Sequence, residues 1–338
     1  MPERIVLLVF ALVGGVSLLK GLGPDVADGI DFYWLLSYEH GFIRRALIGT
    51  LFQPLLKYGS YQQLKPVIFD IHVGACIAII ALSLALFWRV ISGEESAENR
   101  VTLALSFLCL MCSPLVPTLG HDVGYVDVYL IALALTGLCL ALRRRYAQAI
   151  IPLILAPLIH ESFLFLWAPV AIVLAWSCIV TGREVWRKLV VAAVPVLSTA
   201  VVVFFQSTSA AARAIDTLPV SDTLKDGLRA YELEQTVAGS FAMMRRYQFP
   251  GNGARVATSL AYFLVPSLLM VAAAAFCYWR VWRLRWATLL VVFVAAISPL
   301  AAILFAWDLS RFVVWSNLAA AIALVASGPL LAGQGERQ

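Results

Sequence analysis

The sequence predicts an all-α integral membrane protein, with about ten transmembrane helices, an outer interfacial amphipathic helix and one long outer loop. Three observations carry this expectation. Of the 338 residues, 62% are hydrophobic and only 13% are charged, against about 45–50% and about 25% in soluble domains. Apolar runs close to the ~20 residues needed to cross a ~30 Å hydrocarbon core recur along the chain. Basic clusters punctuate those runs at alternate loops. Such a composition excludes a soluble enzyme and a disordered or fibrous chain, because only closed backbone hydrogen bonding is tolerated in lipid.

Candidate spans fall at 4–22, 67–91, 101–119, 125–142, 147–160, 162–181, 189–206, 259–280, 286–306 and 312–331. The first begins after Arg4, and no small-residue cleavage site follows it, so it reads as a retained helix and not a signal peptide. Arg143–Arg145, then Arg183, Arg187 and Lys188, then Arg280, Arg283 and Arg285 lie on one side. Lys/Arg bias makes that side cytoplasmic and places both termini there, in a multi-pass protein of the plasma (inner) membrane. All four histidines (His40, His72, His121, His160) and most of the acids then fall toward the outside.

Two segments are not simple spans. In 42–57 the apolar positions Ile43, Leu47, Ile48, Leu51, Phe52, Leu55 and Leu56 form a helical stripe, with Arg45, Gly49, Gln53 and Lys57 opposite. That pattern is an amphipathic helix lying on the outer interface. Residues 208–258 form the long outer loop. Ser221 and Asp222, after Pro219, are a helix-start signal, and Leu224, Leu228 and Tyr231 recur on one face beyond it. One or two short helices are expected there, resting on the outer surface. The chain forms a single polytopic membrane domain. The six cysteines all sit in apolar runs and read as small packed hydrophobes.

Chemistry concentrates in outer clusters. After the first span come Asp25, Asp28, Asp31, Glu39, His40, Arg44 and Arg45. Paired arginines are unusual in an outer loop, and the planar guanidinium fork suits phosphate or carboxylate. The alternative is salt bridges to Glu39 or Asp31, or contact with lipid headgroups. Gly120–Asp127 is a tight turn containing His121, Asp122 and Asp127; capping explains Asp122 but not the other two. His160 and Glu161 end a span that rises only ~20 Å, so they lie below the surface at a helix break. Asp308 and Arg311 stand at the ends of the last two spans, where an i,i+3 ion pair would also account for them. Arg245 and Arg246, in the long loop, fit a solvated face. The run Phe32-Tyr33-Trp34 suits either a sugar-stacking wall or interfacial anchoring. No Walker loop, serine-hydrolase elbow or HExxH occurs, and the one close cysteine pair, Cys109 and Cys112, has no histidine or acid nearby in sequence to complete a metal site; the dispersed basic residues give no support to nucleic-acid binding.

This layout resembles the GT-C class of polytopic glycosyltransferases. Asp25, Asp28 and Asp31 stand where that class carries an acid in the first outer loop, and 42–57 stands where it carries an interfacial helix. The resemblance covers the whole chain architecturally, without the large soluble C-terminal domain of many members. It implies sugar transfer from a polyprenyl-phosphate carrier to a glycan or lipid acceptor. Asp31, His160 and Glu161 are then the catalytic set. His40, Arg44, Arg45, His121, Asp122, Asp127, Asp308 and Arg311 are the substrate-binding set. No cofactor is required, although Asp31, Asp122 and Asp127 could hold a divalent metal. A Wzy-like polysaccharide polymerase or lipid-linked glycan ligase would use similar residues. A proton-coupled transporter would use Asp127, His160 and Glu161 as a relay, but the cytoplasmic halves of the spans are almost wholly apolar.

Overall fold

The computed structural model describes residues 2–26, 31–43, 45–58, 61–92, 100, 101, 104, 115–121, 123–218, 220–233, 272 and 286–298. Among these residues all regular structure is helical. In chain order the helices are α1 (Pro2–Gly21), α2 (Asp31–Leu35), a 3₁₀ turn (Tyr38–His40), α3 (Leu47–Tyr58), α4 (Tyr61–Ser92) and α5 (Leu115–His121). They continue with α6 (Asp127–Leu142), α7 (Tyr146–Ile159), α8 (Phe163–Thr181), α9 (Val185–Phe205), α10 (Thr208–Thr217), α11 (Asp222–Leu233) and α12 (Trp286–Ile297).

Gln62–Ser92, Phe163–Thr181 and Val185–Phe205 are long and apolar enough to cross a membrane, and Ile5–Gly21, Asp127–Leu142 and Tyr146–Ile159 are shorter apolar helices. The expected spans at 4–22, 67–91, 125–142, 147–160, 162–181 and 189–206 thus coincide with helices. Those at 259–280 (apart from residue 272) and 312–331 lie outside the described residues, as do most of 101–119 and part of 286–306.

α6 packs antiparallel on α7, α7 on α9, and α8 on α9, while α4 flanks α6 and α12 flanks α8. The buried core runs through Leu130, Ile131, Leu138, Leu153, Leu166, Val170, Leu174 and Val191. Burial of such side chains contributes close packing here, since lipid tails are as apolar as leucine. α1 crosses α5 closely enough that a Cβ on Gly21 would collide with the Pro117 backbone. The same crossing places the Gly23 N–H on the Gly120 carbonyl at 3.1 Å.

The two ends of this bundle differ in charge. One holds Arg89, Arg143, Arg144, Arg145, Arg183, Arg187 and Lys188. There the Arg89 guanidinium donates to the Leu142 carbonyl (2.8 Å). The other end collects α2, the 3₁₀ turn, α3, α10 and α11, together with the turns before α6 and between α7 and α8.

The interfacial helix starts at Leu47, not at residue 42. Arg45 adopts φ +62°, a left-handed conformation that costs roughly 1–2 kcal/mol in a non-glycine residue and cannot continue a helix. Leu51 and Leu55 are exposed on this helix while Ile48 and Gly49 are buried, so the expected apolar stripe is divided between an exposed side and a side packed on the chain. The long loop carries two short helices, α10 and α11, and the second starts where Ser221 accepts the Leu224 N–H (3.4 Å). Both rest on the loop before α3, and not on lipid alone. Ala210, Ala211, Ala214, Ile215 and Leu228 pack against Leu36, Ile43 and Ala46. Of the cysteines, Cys76 and Cys178 are buried and Cys139 half-buried, all three as free thiols.

Gly49 faces the Leu36 carbonyl so closely that a Cβ there would overlap backbone. Backbone cannot rotate away as a side chain can. Gly49→Ala is therefore expected to cost about 3 kcal/mol of stability. Gly15, with nothing within 4 Å of its Cβ position, should gain up to about 1 kcal/mol on the same change. Thermal unfolding of both variants in detergent checks this; equal midpoints would show that α2 and α3 do not approach as described.

Candidate functional site

The polar end is organised by the segment between α2 and α3. Ser37 opens the 3₁₀ turn, with its hydroxyl accepting the Glu39 N–H (3.5 Å). Gly41 follows at φ 130° and Arg45 at φ 62°. This reversal turns the Arg45 side chain inward, where only 6% of it is exposed.

Its partner lies 116 residues away. Arg45 Nε donates to Glu161 Oε2 at 3.0 Å, and Nη2 donates to Oε1. Two parallel donors on one carboxylate form the fork that arginine makes best. Glu161 sits in the break between α7 and α8. α7, with Pro152 and Pro157 inside it, ends at Ile159, and His160 is extended at φ −161°, ψ 130°. The break expected at 160–161 is present at those residues.

The His160 ring is buried. Its Nδ1 accepts the Ser162 N–H at 3.1 Å, so a neutral ring carries its proton on Nε2. Nδ1 also lies 3.7 Å from Glu161 Oε2. With Nδ1 serving as an acceptor that contact is not a hydrogen bond, and Arg45 supplies the charge that balances Glu161. Tyr33 stands 5.7 Å from His160 between ring centroids, and Tyr125 stands 6.3 Å from Tyr33. Asp127 begins α6 beside this aromatic group in sequence and is buried at 6% exposure. The Ser162 hydroxyl, buried next to His160, has no hydrogen-bond partner among the described residues.

The remaining candidates are placed differently. His40 Nε2 bonds Thr217 Oγ1 at 3.1 Å, on α10, so it ties the loop to the hairpin. Glu39 meets Gln53 and, at 3.7 Å, Lys57 on α3, not Arg45. His121 is exposed at the end of α5. Asp31 is the first residue of α2. Arg44, Asp122, Asp308, Arg311, Arg245 and Arg246 lie outside the described residues. Burial pushes the Tyr38 phenol up to about 12, so it stays neutral. Among the described residues no three His, Cys, Asp or Glu side chains are grouped to hold a metal ion.

Tyr33 and Trp34 do not form a surface wall. Tyr33 and Trp34 are 1% and 0% exposed, because α2 inserts between α3 and α6. Trp34 packs on Phe52 (5.2 Å) and Tyr129 (6.0 Å). Trp34 also donates its indole N–H to the Gly124 carbonyl at 3.1 Å.

His72 was given no role by the sequence, yet it is fully buried and fixes the turn before α6. Its Nδ1 accepts the Gly124 N–H (3.1 Å), and its Nε2 donates to the Leu119 carbonyl (2.9 Å). A single imidazole thus clamps both sides of residues 119–124, with Trp34 holding the same glycine. The available signal was a histidine three turns into a long helix whose following stretch is apolar, where an ionisable group needs a partner.

These features are those of a helical chain in which three helices are long and apolar enough to cross a membrane, with a buried polar cluster at one end. The chain matches no known family, no curated protein and no solved structure with which it was compared.

Proposed function

We propose that this protein is a membrane glycosyltransferase. It moves a sugar from a polyprenyl-phosphate carrier to a glycan or lipid acceptor at the extracytoplasmic face of the plasma membrane, in assembly of cell-envelope polysaccharide or glycolipid. The observation that carries this reading is the Arg45–Glu161 fork beside His160, buried under a short two-faced helix at the less basic end of the bundle. A lipid-linked substrate presents its phosphate at the level of such an interfacial helix while its tail stays in the bilayer.

Sugar transfer from a phosphate needs two things. The acceptor hydroxyl needs a base within hydrogen-bond reach, and the departing phosphate needs positive charge. Asp31 is assigned the base. Arg44 and Arg311 are assigned the carrier phosphate, with His40, His121, Asp122, Asp127 and Asp308 around the sugar and acceptor. Arg45 is largely committed to Glu161, so in this scheme it fixes the 160–162 turn. His160 and Glu161, both in that turn, are assigned with Asp31 to the catalytic set.

Comparison of lipid-linked saccharides from cells with and without the protein tests the proposal. A truncated carrier-linked glycan that accumulates in its absence is the expected result. Loss of chain lengthening alone would favour polymerase or ligase activity. An unchanged glycan profile with altered solute uptake would replace transfer by transport.

The topology gives a separate prediction. In a background lacking the six native cysteines, Lys57→Cys should react with a membrane-impermeant thiol reagent in intact cells. Arg144→Cys should react only after lysis. The reverse pattern would place the polar cluster in the cytoplasm and remove the carrier argument.

A further inference from the structure

We propose that the basic end of the bundle is a binding site for the headgroup of an anionic phospholipid, seated across the α6–α7 and α8–α9 loops. These loops are locked to each other. Glu184, at φ 52°, faces Arg144, at φ 59°; both are non-glycine residues held in the left-handed region. The Glu184 carboxylate accepts from the Tyr146 hydroxyl at 2.9 Å. It also lies 3.8 Å from Arg144 Nε and 3.7 Å from Arg187 Nη1.

One carboxylate therefore organises two arginines and a tyrosine, which leaves the loops with a large excess of positive charge. Arg143, Arg145 and Arg183 are exposed and have no carboxylate partner among the described residues. Lys188, buried, adds a further positive charge while its ammonium meets Thr181 Oγ1 at 3.3 Å.

The surface beside this charge is apolar. Trp186 is 80% exposed and Ile179 76%, on the helices that meet at this loop. An indole next to arginines, with aliphatic surface beyond it, is the pattern of a side-chain group at the boundary of headgroups and acyl chains. A soluble anion would use the charge and leave Trp186 and Ile179 uncovered. A phospholipid engages both, its phosphate on the guanidinium forks and its acyl chains on the exposed helix surface.

The test uses the full-length protein, reconstituted in vesicles of 30% phosphatidylglycerol and 70% phosphatidylcholine and then re-extracted in mild detergent. The lipid that stays bound is measured by mass spectrometry. Each arginine near an anionic surface contributes roughly fivefold, so the ratio of phosphatidylglycerol to phosphatidylcholine retained should exceed the vesicle ratio by roughly tenfold or more. The triple change Arg143→Gln, Arg145→Gln and Arg183→Gln should return it to the vesicle ratio. The same three positions changed to Lys should keep most of the enrichment, and Arg229→Gln at the opposite end should keep all of it. Enrichment should also fall as salt rises. Enrichment equal in wild type and the glutamine triple, or absent in wild type, overturns the site. Should the glutamine triple misfold, loss of enrichment in the well-folded Lys triple overturns it as well, because charge would not be what holds the lipid.

Discussion

Asp31→Asn is expected to abolish sugar transfer while carrier binding persists. Asparagine keeps the shape of aspartate and loses the ability to take a proton. The loss of a positioned base is expected to cost roughly 10²–10⁴-fold in turnover. Arg44→Lys should act at the other half of the reaction, because a lysine ammonium is a rotating point charge that cannot reproduce a two-donor fork. It should weaken carrier binding and leave expression intact. The pair is read together in an assay that follows both carrier-linked and transferred sugar at equal protein level. Wild-type behaviour from both variants would remove the transferase reading and leave the loop after α1 as a structural element.

The second large effect concerns stability. Arg45→Leu should strand the Glu161 carboxylate, 22% exposed, without its fork. Breaking one side of a buried ion pair costs about 3–5 kcal/mol, and the partial exposure of Glu161 places the expectation near the lower figure. Arg45→Leu combined with Glu161→Leu should recover most of that loss, since replacing both charges removes the stranded one. Unfolding midpoints in one detergent give the double-mutant cycle. Additive losses in the double variant would mean that the two residues do not depend on each other. Activity should stay low in the double variant even when stability returns, because the 160–162 turn is then no longer held by charge.

The parts of this architecture legible in the sequence are those governed by local rules. The break at His160-Glu161 followed from counting the residues of a short apolar run, and Ser221-Asp222 announced the start of α11 by capping chemistry. The charge difference between the two ends was visible as basic clusters at alternate loops. What the sequence concealed depends on distant segments. The late start of α3 is set by the left-handed Arg45, and that conformation is held by a partner 116 residues on. Tyr33 and Trp34 looked like surface aromatics because interfacial and core aromatics share a composition; only the insertion of α2 between α3 and α6 distinguishes them. His72 lay in plain view but gained meaning only once the turn at residues 119–124 came to rest against it.

The attachment of the α10–α11 hairpin to the first polar loop has a consequence for biogenesis. His40 reaches Thr217 across 177 positions, Arg213 donates to the His40 carbonyl across 173, and the Ser207 N–H donates to the Phe42 carbonyl at 2.8 Å. At a synthesis rate of about 5–20 residues per second, the early loop waits roughly 10–35 s for the segment that secures it. During that interval α1 to α3 are already made, with Ile43 and Ala46 lacking their cover, and with Arg45 lacking Glu161 for much of it. The order of translation thus leaves this polar corner as one of the last regions to close, and truncated chains ending before Ser207 should be prominent substrates for membrane quality control.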